Sequence, residues 1–234
     1  MATQQLKNNL AIYDEVAAQW WSDDVRWIRT LKNMVPARLR YFDQFVQWEG
    51  KQVLDLGCAG VFMAEALDDR GANVTGIDPA SQAIDAAKAH AANRSIRYDV
   101  GVGEALPYED NEFDAVVCVD VLEHVQDLSK VTQEVSRVLK PGGLFCFDTI
   151  NRSPLAKMVT ITVAEDVLKI LPKGTHDPDM FIKPAELLEA LNNGGLKPGK
   201  MTGLGPRGIN LKGDFTFGRL PLTGVIYMGT AVKA

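Results

Sequence analysis

Residues 51–78 read KQVLDLGCAGVFMAEALDDRGANVTGID. The apolar run QVLDLG predicts a strand, FMAEALDDRG predicts a helix that ends at Gly71, and NVTGID predicts a second strand. Gly57 and Gly60 fall in the turn between the first strand and the helix, and Asp78 closes the second strand. This order predicts a nucleotide-type binding site at the carboxyl ends of parallel strands.

The composition limits the class of protein. The chain has 234 residues, of which 46% are hydrophobic, and this is enough for the core of one α/β domain. Its net charge of −5, with no basic run carrying interleaved aromatic residues, argues against an electrostatic nucleic-acid binder. We therefore expect a small-molecule ligand and no nucleic-acid partner.

Three features predict a cytoplasmic protein. No apolar stretch reaches the roughly 18 residues that a membrane-spanning helix needs. The N-terminal MATQQLKNNL lacks the character of a signal or transit peptide. Cys58, Cys118 and Cys146 are odd in number and widely spaced, which favours reduced, buried thiols over disulfides or a zinc site.

Strands and helices keep alternating along the chain, which predicts an α/β fold with a doubly wound, Rossmann-like parallel sheet. The further strands are IRYDVGV, FDAVVCV and LFCFDTI, and the helices are SQAIDAAKAHAAN, with Ser81 as a candidate cap, LSKVTQEVSRVLKPGG and PAELLEALNNGG. We expect one domain, 1–234, in four parts: an N-terminal helical arm at 1–50 with a second helical pattern after Pro36, a cofactor-binding core at 51–150, an insertion after the fifth strand at 151–182, and a C-terminal helix and strands at 183–234.

The glycine turn favours an adenosyl ligand without phosphates. A dinucleotide-binding turn has the pattern G-x-G-x-x-G, and here Ala59 stands where the second glycine would let the backbone approach a pyrophosphate. Gly57 and Asp78 still suit a ribose, whose hydroxyls a carboxylate can bind. Asp55 adds an acid that suits an ammonium group. These features together indicate S-adenosylmethionine. The alternative is that the segment is only a tight turn followed by a surface acid and binds no ligand.

The segments VLDLGCAG, GIDPA, GEALPYEDNEFDAVVCVDVLEHV and VLKPGG resemble class I S-adenosylmethionine-dependent methyltransferases in order and spacing. QWWSDD, VPARLRYF, TINRSPLAK and LPKGTHDPDMFIKPAEL further resemble the ubiquinone-biosynthesis O-methyltransferase family. The likeness runs from about Trp20 to the C-terminus. It implies methylation of a phenol or catechol hydroxyl, as on polyprenyl catechols. The open alternatives are a same-fold methyltransferase acting on a secondary-metabolite phenol, carboxylate or amine, a non-enzymatic module and, more remotely, a dehydrogenase.

The resemblance also implies cofactor contacts. The matching positions are Arg38 for the methionyl carboxylate, Gly57 in the turn, Asp78 for the ribose and Val119 as an apolar contact. Where the family often has an acid for the adenine amino group, this chain has Val102, and Glu104 is the candidate substitute.

A second implied group is Asp120, Glu123 and His124, which match a Glu-x-x-Glu-His pattern proposed in the family to hold magnesium. Here Asp replaces the first Glu. Glu123 and His124 are also the candidate catalytic residues, with His124 as a general base for a phenol. The alternative is that these residues only begin a helix and that the His124 side chain is held in a structural hydrogen bond. His176 either pins a loop or contacts substrate.

The insertion raises the question of a membrane. Leu155, Met158, Val159, Thr162 and Val163 follow helical spacing, as do Val167, Leu168, Ile170 and Leu171, and lysines flank them. An apolar face beside lysines can lie in a membrane interface, so 155–171 is a candidate for peripheral membrane association. The alternative is an ordinary lid helix packed on the domain.

Overall fold

The structure, a computed structural model, describes residues 14–167 and 174–234. Within these ranges one sheet holds nine strands in the order β3-β2-β1-β4-β5-β9-β7-β8, with β6 paired to β9. The strands are β1 Gln52–Leu56, β2 Asn73–Asp78, β3 Arg97–Val100, β4 Phe113–Cys118, β5 Leu139–Ile150, β6 Leu196–Pro198, β7 Thr202–Ile209, β8 Phe215–Leu220 and β9 Ile226–Lys233. The helices are α1 Arg26–Phe42, α2 Phe62–Asp68, α3 Ser81–His90, α4 Leu128–Val138, α5 Pro154–Lys157 and α6 Pro184–Asn193.

The parallel half of the sheet consists of β1 to β5 and confirms the doubly wound prediction. Successive strand residues point to opposite faces, so Val53 packs into one apolar core with α1 and α2 while Leu54 packs into the other with α4 and α6. All three cysteines are buried free thiols, as predicted. Because both faces are covered, ligands can reach this half only at its strand ends.

The second half of the sheet is antiparallel. β9 pairs with β5 and β7, and β7 pairs with β8. Leu204 of β7 lies opposite Ile226, the first residue of β9, so the hairpin from Leu204 to Ile209 and back along β8 projects beyond the edge where the parallel strands end. Asp214 on this hairpin forms a two-pronged ion pair with Arg29 of α1, with both N···O distances at 3.0 Å. The hairpin and α1 therefore form one wall over that edge.

The N-terminal arm differs from the prediction. The helical pattern placed after Pro36 belongs to α1, which begins at Arg26, passes through Pro36 and ends at Phe42. Proline removes one backbone hydrogen bond, but burial of an extended apolar face against the sheet stabilises the helix across it. The first predicted helix, LAIYDEVAAQWW, starts outside the described residues. Asp14 and Glu15 are α-helical, and a turn with a 3₁₀ segment at Ala17–Gln19 follows them.

Ser81 is not a helix cap. It is the first residue of α3, and Ala80 precedes it with an extended backbone. The orphan N–H groups of α3 are instead satisfied from the arm, because Asp14 Oδ1 accepts from the backbone N of Gln82 at 2.9 Å and of Ala83 at 3.3 Å. The arm thus fastens to the core at a helix N-terminus, where a carboxylate is stabilised by the helix dipole.

After β5 the chain leaves the sheet. α5 is capped by Ser153, whose side chain accepts from Ala156 N, and it continues as a π-helical segment, Met158–Val167. Leu168, Ile170 and Leu171 of the predicted apolar face lie outside the described residues. Among the residues described, no helix combines the length and the apolar character needed to cross a bilayer.

Candidate active site

A cavity of about 1310 Å³ opens where the parallel strands end. It is larger than the roughly 300–1,000 Å³ of most ligand pockets. Its wall takes side chains from α1, the turn after β1, the ends of β2 and β4, the insertion and the β7–β8 hairpin. Its acids and glycines lie at the ends of β1 and β2, whereas Phe217 and Leu220 come from β8 at the opposite edge of the sheet and Val159 comes from the insertion. The cavity can therefore hold two molecules of different polarity side by side.

The turn after β1 is held by close contacts that the sequence did not reveal. Gly57 has φ +79°, and a Cβ there would lie 2.2 Å from Cγ2 of Val121 in the loop after β4. At Gly60 a Cβ would lie 2.3 Å from the Trp20 ring. Val61 has φ 59°, which is uncommon for a β-branched residue. The glycines are required by neighbouring side chains as well as by any ligand.

Asp78 and Asp55 form the acidic end of the cavity. Asp78 accepts from the backbone N of Ala59 at 3.0 Å and of Ala80 at 2.9 Å, while burial raises its pKa to about 6. Asp55 is 1% exposed, and its Oδ2 has no hydrogen-bond partner within 14–167 and 174–234. Burial, then the charge of Asp78, raises the pKa of Asp55 to about 7. A buried oxygen without a donor is costly, so this end is suited to a ligand that brings donors.

Arg38 lies between two carboxylates. Its Nε is 2.5 Å from Asp148 Oδ2 and its Nη2 is 2.6 Å from Asp120 Oδ2. Burial alone would lower the pKa of Arg38, but Asp120 and Asp148 raise it, so the guanidinium stays cationic. The predicted partner of Arg38 was the methionyl carboxylate, and the structure adds two protein carboxylates that no motif had indicated as its partners.

Asp148 was missed by sequence reasoning. It lies in β5, is fully buried, and accepts from the backbone N of Asp120 at 2.8 Å as well as from Arg38. The one available signal was an acid inside the apolar strand LFCFDTI, since a charged side chain is rarely placed in a core strand without a partner.

Val119 and Glu104 are both in the cavity wall, as is Val102. Glu104 Oε1 accepts from the backbone N of Gln126 at 2.9 Å, which fixes the carboxylate at this position. Val119, which was predicted to be an apolar contact, is partly buried just after the end of β4. All six predicted cofactor residues, Arg38, Asp55, Gly57, Asp78, Glu104 and Val119, therefore line one cavity.

Glu123 and His124 lie in a 3₁₀ turn, Leu122–His124, rather than at the start of a long helix. Glu123 is 2% exposed and its Oε2 accepts from Thr149 Oγ1 at 2.7 Å. Burial, then the nearby Asp120, raises the pKa of Glu123 to about 8. Burial and the neighbouring His176 lower the pKa of His124 to about 4. Near neutral pH His124 is a neutral imidazole and Glu123 is largely protonated.

The predicted grouping of Asp120 with Glu123 and His124 changes in the structure. Among the described residues, the three groups whose ligand atoms lie within 4.8 Å of one another are Glu123, His124 and His176, while the carboxylate of Asp120 contacts Arg38. The His124 and His176 rings stack with centroids 5.4 Å apart. Two imidazoles and one carboxylate do not fit magnesium, which prefers oxygen ligands.

Comparison with known proteins identifies the family. A family model described as a methyltransferase domain matches residues 54–147. A ubiquinone biosynthesis O-methyltransferase from Coxiella burnetii is 40% identical over 200 residues, covering 85% of each chain. Another from Saccharophagus degradans is 37% identical over 210 residues, covering 87% of this chain and 89% of the relative. This chain belongs to the ubiquinone biosynthesis O-methyltransferase family.

Solved structures agree on the architecture. A SAM-dependent methyltransferase from Thermotoga maritima superposes with a TM-score of 0.66 at 16% identity, covering 95% of this chain and 99% of that one. One from Methanosarcina mazei gives 0.62 at 22% identity, covering 82% and 96%. At such identities the likeness concerns the fold alone. As a member of this family, the enzyme is an S-adenosylmethionine-dependent O-methyltransferase.

Proposed function

We propose that this enzyme methylates a phenol or catechol hydroxyl on a prenylated ring, as a step of ubiquinone biosynthesis. The observation that carries this proposal is a cavity of about 1310 Å³ whose acidic end continues into an apolar end. The first would hold the cofactor and the second an apolar substrate. The relatives' place in ubiquinone biosynthesis supports the same substrate class.

The residues at the acidic end fit S-adenosylmethionine. Asp78 would accept from the ribose hydroxyls, and the buried Oδ2 of Asp55, which has no donor in the described chain, would accept from the ammonium group. Arg38 would bind the carboxylate, and Val102, Glu104 and Val119 would lie along the nucleoside. When bound, the cofactor supplies an electrophilic sulfonium methyl group.

The protein must place the nucleophile and remove its proton. A phenol has a pKa of about 10. His124 lines the cavity whereas Glu123 is absent from its described lining, so His124 is the group that can contact the hydroxyl. His124 is neutral near pH 7 because burial lowers its pKa to about 4, and it would accept the phenol proton. Glu123, which is largely protonated near neutral pH, would take no direct part, and no step needs a metal.

A methyl-transfer assay tests the proposal. Labelled methyl from S-adenosylmethionine should appear on catechols, with prenylated catechols reacting at lower KM than bare ones because the tail fills the apolar end. His124→Asn should lower kcat on these substrates, while His90→Asn, at a partly exposed position on α3 outside the cavity wall, should leave it unchanged. Transfer to amines or carboxylates but to no phenol would support the same-fold alternative instead.

A finer part of the proposal is peripheral docking on a membrane through 155–171. Leu155 and Met158 are 50% and 52% exposed, whereas Ala156 between them is fully buried. Lys157 stands beside them. An apolar face of this kind gains by burial in the interface, and the net charge of −5 means that anionic lipid adds little.

Liposome flotation tests the docking. The enzyme should float with vesicles at high salt, and Leu155→Asp with Met158→Asp should release it. Phe45→Asp is a matched control, because Phe45 is 51% exposed but lies outside the cavity wall. Release by Phe45→Asp to the same extent, or no flotation at all, would contradict docking through this segment.

A further inference from the structure

The buried carboxylate of Asp148 joins two parts of the cavity wall. Asp148 has no solvent exposure and lies on β5 between Phe147 and Thr149, which are also fully buried. Its Oδ2 is 2.5 Å from Arg38 Nε, and its Oδ1 accepts from the backbone N of Asp120 at 2.8 Å. A buried carboxylate is tolerated when both oxygens are paired in this way.

Both partners of Asp148 line the cavity, but they are held differently. Asp120 has φ 56°, a backbone conformation that costs a non-glycine residue energy and persists when the surroundings fix it. Its carboxylate is 28% exposed. The guanidinium of Arg38 is 2% exposed. Its Nη2 lies 2.6 Å from Asp120 Oδ2 yet has no aligned hydrogen-bond acceptor in the described chain. Asp148 is thus the fully buried partner of Arg38, and Asp120 is the partly exposed one.

We propose that Asp148 is the positioning residue for the amino-acid end of the cofactor. It holds Nε of Arg38 so that Nη2 faces an incoming carboxylate, and it holds the backbone of Asp120 so that the loop after β4 leaves room for that group. Asp148 acts through these two residues and does not itself line the cavity. This inference rests on the proposed cofactor seat.

The test compares two ligands that differ only at the amino-acid end. S-adenosylhomocysteine carries that end, and 5′-methylthioadenosine lacks it. By calorimetry, Asp148→Asn should weaken binding of S-adenosylhomocysteine about tenfold or more, the effect of losing a hydrogen bond between charged groups. Binding of 5′-methylthioadenosine should change less than about twofold, and the KM for S-adenosylmethionine should rise more than kcat falls.

Asp114→Asn is the matched control. Asp114 also accepts from a backbone N, that of Gln52 at 2.9 Å, and pairs with a cation, Lys140 at 3.0 Å, but it lies outside the cavity wall. It should affect neither ligand. Equal weakening of both ligands by Asp148→Asn, or weakening of neither, would overturn the proposal.

A second variant decides the matter if Asp148→Asn does not fold. Arg38→Lys keeps the charge but removes the Nε donor that contacts Asp148. The same selective loss is expected, and an Arg38→Lys enzyme with unchanged affinity for S-adenosylhomocysteine would overturn the proposal. If the wild-type enzyme bound 5′-methylthioadenosine as tightly as S-adenosylhomocysteine, the cofactor seat itself would be wrong, whatever Asp148 does.

Discussion

The two ends of the proposed cofactor seat, one for the methionyl group and one for the nucleoside, are built in different ways. At the nucleoside end, Asp78 hydrogen-bonds to Ala59, which is 19 residues away in the same strand-turn-helix-strand unit. At the methionyl end, Arg38 bonds to Asp148, which is 110 residues away on another strand. The first contact follows from a local motif, whereas the second exists only once α1 has packed across the sheet. A local motif thus reports half of a site, and the other half depends on tertiary packing.

The largest expected effect concerns the methionyl end, where Arg38 contacts a residue far away in the sequence. Arg38→Met should destabilise the cofactor-free enzyme by about 3–5 kcal/mol, because Asp148 would remain buried without its cation. Urea unfolding measures this loss. The matched Arg→Met change at Arg97, whose side chain is 60% exposed and pairs with Asp99, should cost less than about 1 kcal/mol. Similar losses at both sites would remove the distinction between the two ends.

At the nucleoside end, which a local motif forms, Gly57→Ala should destabilise the fold for two reasons. The φ of +79° disfavours alanine, and the new Cβ would lie 2.2 Å from Val121 Cγ2. Gly50→Ala is the matched control, since Gly50 has φ +71° but a Cβ there would meet no heavy atom within 4 Å among the described residues. We expect about 1–2 kcal/mol of destabilisation at Gly50 and about 1–3 kcal/mol more at Gly57, from backbone strain and overpacking. Equal melting temperatures for the two variants would contradict the close contact.

Asp78→Ala should weaken binding of S-adenosylmethionine by about 1.5–3 kcal/mol, the range for hydrogen bonds to a charged group. Calorimetry on the folded variant provides the measurement. Asp85→Ala on the exposed face of α3 is the control and should bind normally. Unchanged affinity in Asp78→Ala would assign the ribose to another residue and leave the local motif without its ligand.

The smallest effect concerns pH. Because burial and His176 lower the pKa of His124 to about 4, the neutral imidazole persists well below the usual histidine pKa of about 6.5. The acid limb of kcat/KM that belongs to His124 should therefore lie below about pH 5. Replacing His176 with Ala removes one cause of the lowered pKa, so the limb should move toward higher pH. A histidine limb near pH 6.5 in the wild-type enzyme would contradict the buried environment.

How far the sequence predicts the structure depends on the distance over which contacts form. β1, α2 and β2 follow from periodicity and glycine spacing alone, and the parallel sheet follows from their repetition. The path of α1 through Pro36 could not be predicted, because its stability comes from packing on the sheet. The pairing of Glu123 and His124 with His176 could not be predicted for the same reason, since His176 comes from the far side of the insertion. A fixed spacing such as that from Asp120 to His124 predicts a shared face only if the segment is an α-helix. Here only Leu122–His124 forms a 3₁₀ turn, and Asp120, with φ 56°, lies outside it.

The ion pair between Arg29 and Asp214 has a consequence for the growing chain. The two residues are 185 positions apart, so at ribosomal rates of about 5–20 residues per second Arg29 is made about 10–40 seconds before its partner. β9, which separates β5 from β7 in the sheet, is made later still. During that interval the parallel half can form while the wall over the cavity is missing and its apolar end is open to water. The wall of the cavity is therefore completed only after β9 has been translated.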